Sequence, residues 1–265
     1  MSAITVRILT ENLAHDMVWL AEWGFSCWIR YGGHNILFDT GFSDVWVKNA
    51  AHAGIDLETV DAIALSHFHR DHTRGLLFHP FTTKRPLLMH PRVRGARLTR
   101  TDPDAVLQSD ADYDRIDATY KRDFDVRTSR EPFEFFSGAF FLGEIERVTS
   151  FEKGCFFDDP MEDDTGLAFK TANGCVVVSG CSHAGICNIC EQAKRVTGQP
   201  LRAVIGGFHL LHNEDPPVDE TIAYFRGEKT ELLAPMHCID FDIQARFVTE
   251  LGTARFGSGA LIALE

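Results

Sequence analysis

A chain of 265 residues with 45% apolar and 24% charged residues has the composition of a soluble globular protein, which excludes a disordered or fibrous one. Its net charge, 26 − 38 = −12, leaves no broad basic footprint for nucleic acid. No run nears the roughly 18 consecutive apolar residues of a membrane helix, and no apolar core follows a basic start in MSAITVRILTENLAHD, so neither a membrane span nor a secretory leader is expected. The first third reads as strands at 4–11, 25–31 and 34–39, rich in β-branched and aromatic residues and broken at Gly32-Gly33 and Gly41. A helix is expected over 42–54, with Gly54 as its cap. The apolar strand VDAIALS (60–66) runs straight into a histidine cluster.

Residues 92–132 are polar and irregular and are expected to form a lid or insertion. Strands follow at 133–142, 166–171 and 175–180. A helix over 185–196 places Ile186, Ile189, Ala193 and Val196 on one face. A strand at 203–207, a helix at 218–226, a strand at 231–236 and a helix at 242–251 complete the order, the last with Ile243, Phe247 and Leu251 on one stripe. Strand blocks interrupted by helices suggest two packed sheets with helices outside. With no repeat and no linker, a single domain over 1–265 is expected. Seven irregularly spaced cysteines do not look like a disulfide framework and suggest a reducing cytoplasm.

The chemistry concentrates at SHFHRDHTRG (66–75), where His67, His69, Asp71 and His72 fall within six residues. Imidazole and carboxylate together suit zinc, iron or manganese. In an extended segment leaving a strand, His67 and His69 point to the same side. A turn into a helix then brings Asp71 and His72 to a neighbouring position, so one loop can supply two ligands to each of two adjacent metals.

HFHRDH (67–72) is the HxHxDH motif of the metallo-β-lactamase superfamily, and FDTG (38–41) resembles that superfamily's first motif. ILFDTG (36–41), SHFHRDHTRGL (66–76), LGEIERVTSFE (142–152), VVVSGCSHAGICNI (176–189), AVIGGFHL (203–210) and MHC (236–238) resemble, in order, the subgroup named for dihydropteroate synthase-like activity in methanopterin biosynthesis. The chain departs from that subgroup at Trp23, Phe68, Arg70, Arg74, Ile239 and Asp240. The resemblance implies an α/β fold, a four-layer αββα sandwich with its metal site at one edge between the two sheets.

His183, His209 and His237 each follow a strand and match the pattern. His183 is expected to complete a site with His67 and His69, and His237 to join Asp71 and His72. His209 is expected to stabilise a developing oxyanion or to bind a substrate phosphate or carboxylate. Cys181 occupies about the place of the superfamily's bridging Asp; it is either a thiolate ligand or a non-ligating residue that leaves a looser pair or a single metal. Asp39 is expected to orient a ligand histidine through its other ring nitrogen, or else to cap the turn before Gly41.

Arg70 and Arg74 flank the metal loop and suit a small anionic, phosphorylated substrate; the plain alternative is a pair of exposed helix-start arginines. The acidic run Asp158, Asp159, Glu162, Asp163 and Asp164 reads mostly as a solvated loop, and Cys187 and Cys190 as helix packing. His90 is a candidate to border the pocket, and Glu144 to face the metals. One or two divalent ions, zinc first and manganese or iron next, would acidify bound water and give a hydrolase of a phosphoester, lactone or related bond, with Asp71 and His209 as catalytic residues. The alternatives are condensation of a pterin diphosphate with an aminobenzoate-type amine, and an iron-dependent redox or non-catalytic metal-binding role. Neither a nucleic-acid nor a membrane partner is expected, and the sequence does not set the oligomeric state.

Overall fold

Strands buried on both faces build the frame, and a computed structural model describes residues 2–95, 110–212 and 215–265 of it. The strands are β1 (Ile4–Thr10), β2 (Ser26–Tyr31), β3 (His34–Phe38), β4 (Ala62–Ala64), β5 (Arg85–Met89), β6 (Phe124–Thr128), β7 (Phe133–Phe136), β8 (Ala139–Phe141), β9 (Gly166–Thr171), β10 (Gly174–Ser179), β11 (Leu201–Gly207), β12 (Leu232–Met236) and β13 (Leu261–Leu264). They form two sheets, ordered β13-β1-β2-β3-β4-β5-β6 and β12-β11-β10-β9-β8-β7.

The alternation of side chains along each strand assigns the layers. On β10, Val176 and Val178 pack between the sheets with Ile29, Phe38 and Leu167. Cys175 and Val177 of the same strand point outward, against Ile189, Phe225 and Phe247. Those outer residues belong to α4 (Ile186–Thr197), α5 (Val218–Glu228) and α6 (Phe241–Leu251). Opposite, α1 (Val45–His52) and α3 (Asp110–Asp123) cover the first sheet, where Trp46, Ile116 and Tyr120 meet Leu37, Ile63 and Leu87. The result is the expected four-layer αββα sandwich.

The segment expected as a lid is only partly described, since 96–109 lie outside the described residues. What is described of it is framework. β6 pairs in parallel with β5 at the sheet edge, and α3 buries Tyr113, Ile116 and Tyr120. That stripe recurs every three or four residues inside a run of charges, which hides its helical period. The strands β5, β6 and β13 were also absent from the sequence expectation; Pro86 and the short alternation LIAL blur their signals.

Parallel pairing decides where the candidate site residues meet. β3, β4 and β5 run parallel in one sheet, as do β10, β11 and β12 in the other. The carboxyl ends of these strands carry Asp39, the 66–72 loop, Cys181, His209 and His237 to a shared edge. Among the described residues, no helix is long and apolar enough to cross a membrane.

Candidate metal centre

The loop after β4 is extended through His67 and His69 and then turns into α2 (Arg70–Thr73), the strand-to-helix turn expected from the sequence. Four main-chain contacts pin it. Ser66 N donates to Asp39 Oδ1 (2.7 Å), Phe68 N to Asp163 Oδ2 (2.8 Å), Thr40 N to the carbonyl of His72 (2.8 Å) and Phe25 N to that of Asp71 (3.2 Å).

Two donor groups result. In the first, the rings of His67, His69 and His183 stand 4.6–4.8 Å apart, centroid to centroid. All three are buried, yet Nε2 of His67, Nε2 of His69 and both ring nitrogens of His183 have no hydrogen-bond partner among the described residues. Leaving a buried polar group unpaired costs about 1–3 kcal/mol, so these converging lone pairs fit a cation. Burial pushes His69 down to about 4 and lowers His67 and His183, leaving the neutral rings that a metal needs.

In the second group, Nε2 of His72 lies 3.1 Å from Nε2 of His237. Asp71 Oδ2 lies 3.3 Å from His237 Nε2 and 3.7 Å from His72 Nε2. Burial opposes ionisation of Asp71, but His72 and His237 hold its carboxyl well below the usual range. The far side of each ring is tethered: His72 Nδ1 donates to Asp39 Oδ2 (2.7 Å) and His237 Nδ1 to Asn12 Oδ1 (3.0 Å). Both Nε2 atoms are therefore turned inward. Asp39 also accepts from Ser66 Oγ (2.7 Å), which lies 2.8 Å from Nδ1 of His67. One carboxylate thus aligns imidazoles of both groups.

Cys181 stands where the groups join. Its sulfur shares a donor set with His67 and His72, another with His183 and His209, and a third with His237 and Cys238. It lies 2.6 Å from Cys238 Sγ and 3.7 Å from His209 Nδ1. His209 is half-buried at the mouth, with its ring 4.0 Å from that of His183. Asp39, Ser182, His209 and His237 all hold positive φ, at 54°, 68°, 51° and 55°. Such backbone costs on the order of 1–3 kcal/mol per residue and persists where surrounding structure fixes it.

Arg70 and Arg74 do not stand as free cations at the mouth. Four apart on α2 and its continuation, they share a face turned from Asp71 and His72. Arg70 Nη1 and Arg74 Nε both donate to Asp112 Oδ2 of α3, at 2.7 and 2.9 Å, and both guanidiniums lie over the ring of Phe42. The acidic run is likewise not all solvated. Asp163 and Asp164 are buried; Asp163 carries the metal loop at Phe68 N, and Asp164 accepts from Ala184 N (2.8 Å) beside His183. Burial raises them to about 7 and about 6, with Asp164 adding to the rise of Asp163. Glu144 pairs with Arg130 at 2.7 Å and lies 3.6 Å from the buried His90, so these two form a separate cluster.

The sequence reading missed Asn12, Glu11 and Cys238. Glu11 accepts from His237 N (2.8 Å) and so fixes the backbone that Asn12 orients. Asn12 and His237 are 225 positions apart, with no pattern joining them; Cys238 sits beside His237 in the same MHC segment. A cleft opens from His183 and His209 toward Lys153, Cys155 and Pro216. Phe156 flanks it, 4.9 Å from the rings of both His69 and His183. The nearby N-terminus of α4 is taken by the half-buried Glu152, which accepts from Cys187 N and Asn188 N at 2.8 Å each.

Residues 24–143 match the sequence profile described as the metallo-beta-lactamase superfamily. The chain is 31% identical, over 93% of its length and 91% of the relative's, to the 7,8-dihydropterin-6-methyl-4-(beta-D-ribofuranosyl)-aminobenzene-5'-phosphate synthase of Methanocaldococcus jannaschii. An uncharacterized protein of the same organism is 29% identical, over 89% of this chain and 91% of the relative. Among solved structures it resembles Tm1679, described as a metal-dependent hydrolase of the beta-lactamase superfamily, with 25% identity, a TM-score of 0.78 and 98% of each chain covered.

Proposed function

The chain belongs to the metallo-beta-lactamase superfamily, and on that premise we propose that it is a metal-dependent hydrolase of a small anionic substrate. The observation that carries this reading is the 3.1 Å approach of the His72 and His237 Nε2 atoms beside Asp71, with each ring's far nitrogen tethered. His67, His69 and His183 would hold one divalent ion, and Asp71, His72 and His237 a second, with Cys181 between them. Zinc is the metal proposed first, because a thiolate beside imidazoles suits zinc or iron better than manganese. Bound there, divalent ions supply Lewis acidity and a water acidic enough to be a nucleophile near neutral pH.

The protein's own groups do the rest. Asp71 is half-buried and held ionised, so it can ligate a metal and accept a hydrogen bond from a metal-bound water. His209 faces the cleft and can donate toward developing negative charge. Lys153 lines the same cleft 3.6 Å from Asp215, and would offer its charge to a phosphate or carboxylate group on exchanging that exposed partner. All seven cysteines are free thiols, which supports a reducing compartment such as the cytoplasm.

The test is turnover of bis(4-nitrophenyl) phosphate by zinc-loaded protein. Activity lost with chelator, restored by zinc and absent in His72→Ala and His237→Ala supports the reading; zinc-loaded protein without turnover of this or a lactone substrate counts against it. The 31% identity to a synthase favours a second reading, in which the same centre assists condensation of a pterin diphosphate with an aminobenzoate-type amine. Diphosphate release only when both partners are present would support it.

A further inference from the structure

Cys181 follows β10 and Cys238 follows β12, with β11 lying between those strands in the sheet. Their loops meet because β11 ends in Gly206-Gly207. A Cβ on Gly207 would meet the carbonyl oxygen of Gly180 and lie 3.0 Å from Cys181 Cα, so only glycine lets the chains converge there. The two buried sulfurs end 2.6 Å apart. A disulfide bond is about 2.05 Å long, so closure needs a shift of roughly half an ångström. The sulfur that would close it is also the one common to the three donor sets at the centre.

We propose that Cys181 and Cys238 are a reversible oxidation site of the metal centre, at which a peroxide forms a disulfide and withdraws Cys181 from the metal donors. This inference rests on the metal-centre reading above. One sulfur attacks a peroxide oxygen; the O–O bond breaks, water leaves, and a sulfenic acid remains. The second sulfur displaces that hydroxyl as a second water, and the S–S bond forms. The two sulfurs supply two electrons to hydrogen peroxide; the Cys238 thiol proton and one proton from solvent, in place of the one Cys181 gives up as a metal-bound thiolate, end in the two waters. A thiol reductant reverses the change.

The experiment treats the zinc-loaded full chain with hydrogen peroxide, traps remaining thiols by alkylation, and maps peptides while a chromogenic chelator reads released zinc. The expected result is a linked 181–238 peptide, release of about half the bound zinc, and recovery of both by dithiothreitol. Cys238→Ser is expected to form no 181–238 link under the same treatment. Protein that holds zinc but forms no 181–238 link, or forms it and keeps all its zinc, overturns the proposal alone. Reduced protein that takes up no zinc overturns the metal-centre reading and this proposal with it.

Discussion

His72 and His237 are 165 positions apart in the chain and meet at 3.1 Å through their Nε2 atoms. Their approach depends on the groups behind them, because a ring that flipped its tautomer would point a proton where the lone pair now stands. Asp39→Asn is the sharpest test. An amide can donate to His72 Nδ1 and so favour the wrong tautomer, and it disturbs His67 through Ser66 as well. Zinc affinity should fall about 10–100-fold, measured by competition with a chelating dye, with the circular dichroism spectrum unchanged. Asn12→Ala removes the contacts to His237 and to Gly24 N but leaves the tethers of His67 and His72 in place, and should cost less.

Acid should separate ligand readiness from stability. Burial holds His69 near 4 and lowers His67 and His183, whereas an unfolded imidazole titrates near 6.5. Between those values the unfolded chain binds more protons, so these groups make stability fall as pH drops from about 6.5 toward 4. The same rings stay neutral and ready to bind. Zinc affinity of the His67-His69-His183 set should therefore change less than about threefold between pH 7 and 5.5, where three ordinary imidazoles would lose about tenfold each. Asp163 and Asp164, raised to about 7 and about 6, act the other way and favour the fold as pH falls from about 7 toward 4. Asp163→Asn should accordingly steepen the loss of thermal stability in acid, read from melting curves at pH 7.5, 6.5 and 5.5.

The Asp112 cluster gives a stability prediction where the sequence suggested a substrate contact. Asp112→Ala removes the carboxylate shared by Arg70 and Arg74, whose side chains are 8% and 20% exposed. Loss of charge-assisted hydrogen bonds of this kind costs roughly 1.5–3 kcal/mol, so urea denaturation should show a lower midpoint. Binding of a phosphomonoester by the folded fraction should stay within twofold of wild type. A tenfold loss of binding with unchanged stability would return the arginines to the mouth.

What could be read in the sequence follows from how far each signal spans. His67, His69, Asp71 and His72 are legible because six residues hold the whole pattern and strand-to-helix geometry fixes its sides. His183, His209 and His237 are legible because each closes an apolar strand, and both sheets bring such ends to one edge. The direction of Arg70 and Arg74 is not, because it depends on Asp112, a partner some 40 positions away on a helix whose charges mask its buried stripe. The burial of Asp163 and Asp164 is equally hidden. An acidic run reads as solvated until the amides of Phe68 and Ala184 are found at their oxygens.

Gly180 offers a test of how tightly the two sheets are coupled through the centre. It lies buried between Ser179 and Cys181, and a Cβ there would meet Ser66 Oγ and lie 2.7 Å from Asp39 Oδ2. Gly180→Ala therefore drives the second sheet into the hydrogen bonds that align His67 and His72 on the first. Overpacking of this kind costs about 1–3 kcal/mol, and zinc affinity should fall along with the melting temperature. Gly198→Ala is the control. Gly198 caps α4 at a φ of 67° with nothing within 4 Å of a Cβ, so the change strains backbone at about 1–2 kcal/mol and leaves the ligands in place. Equal zinc affinity in both variants would mean that Ser66 and Asp39 yield to the added methyl group without moving the imidazoles.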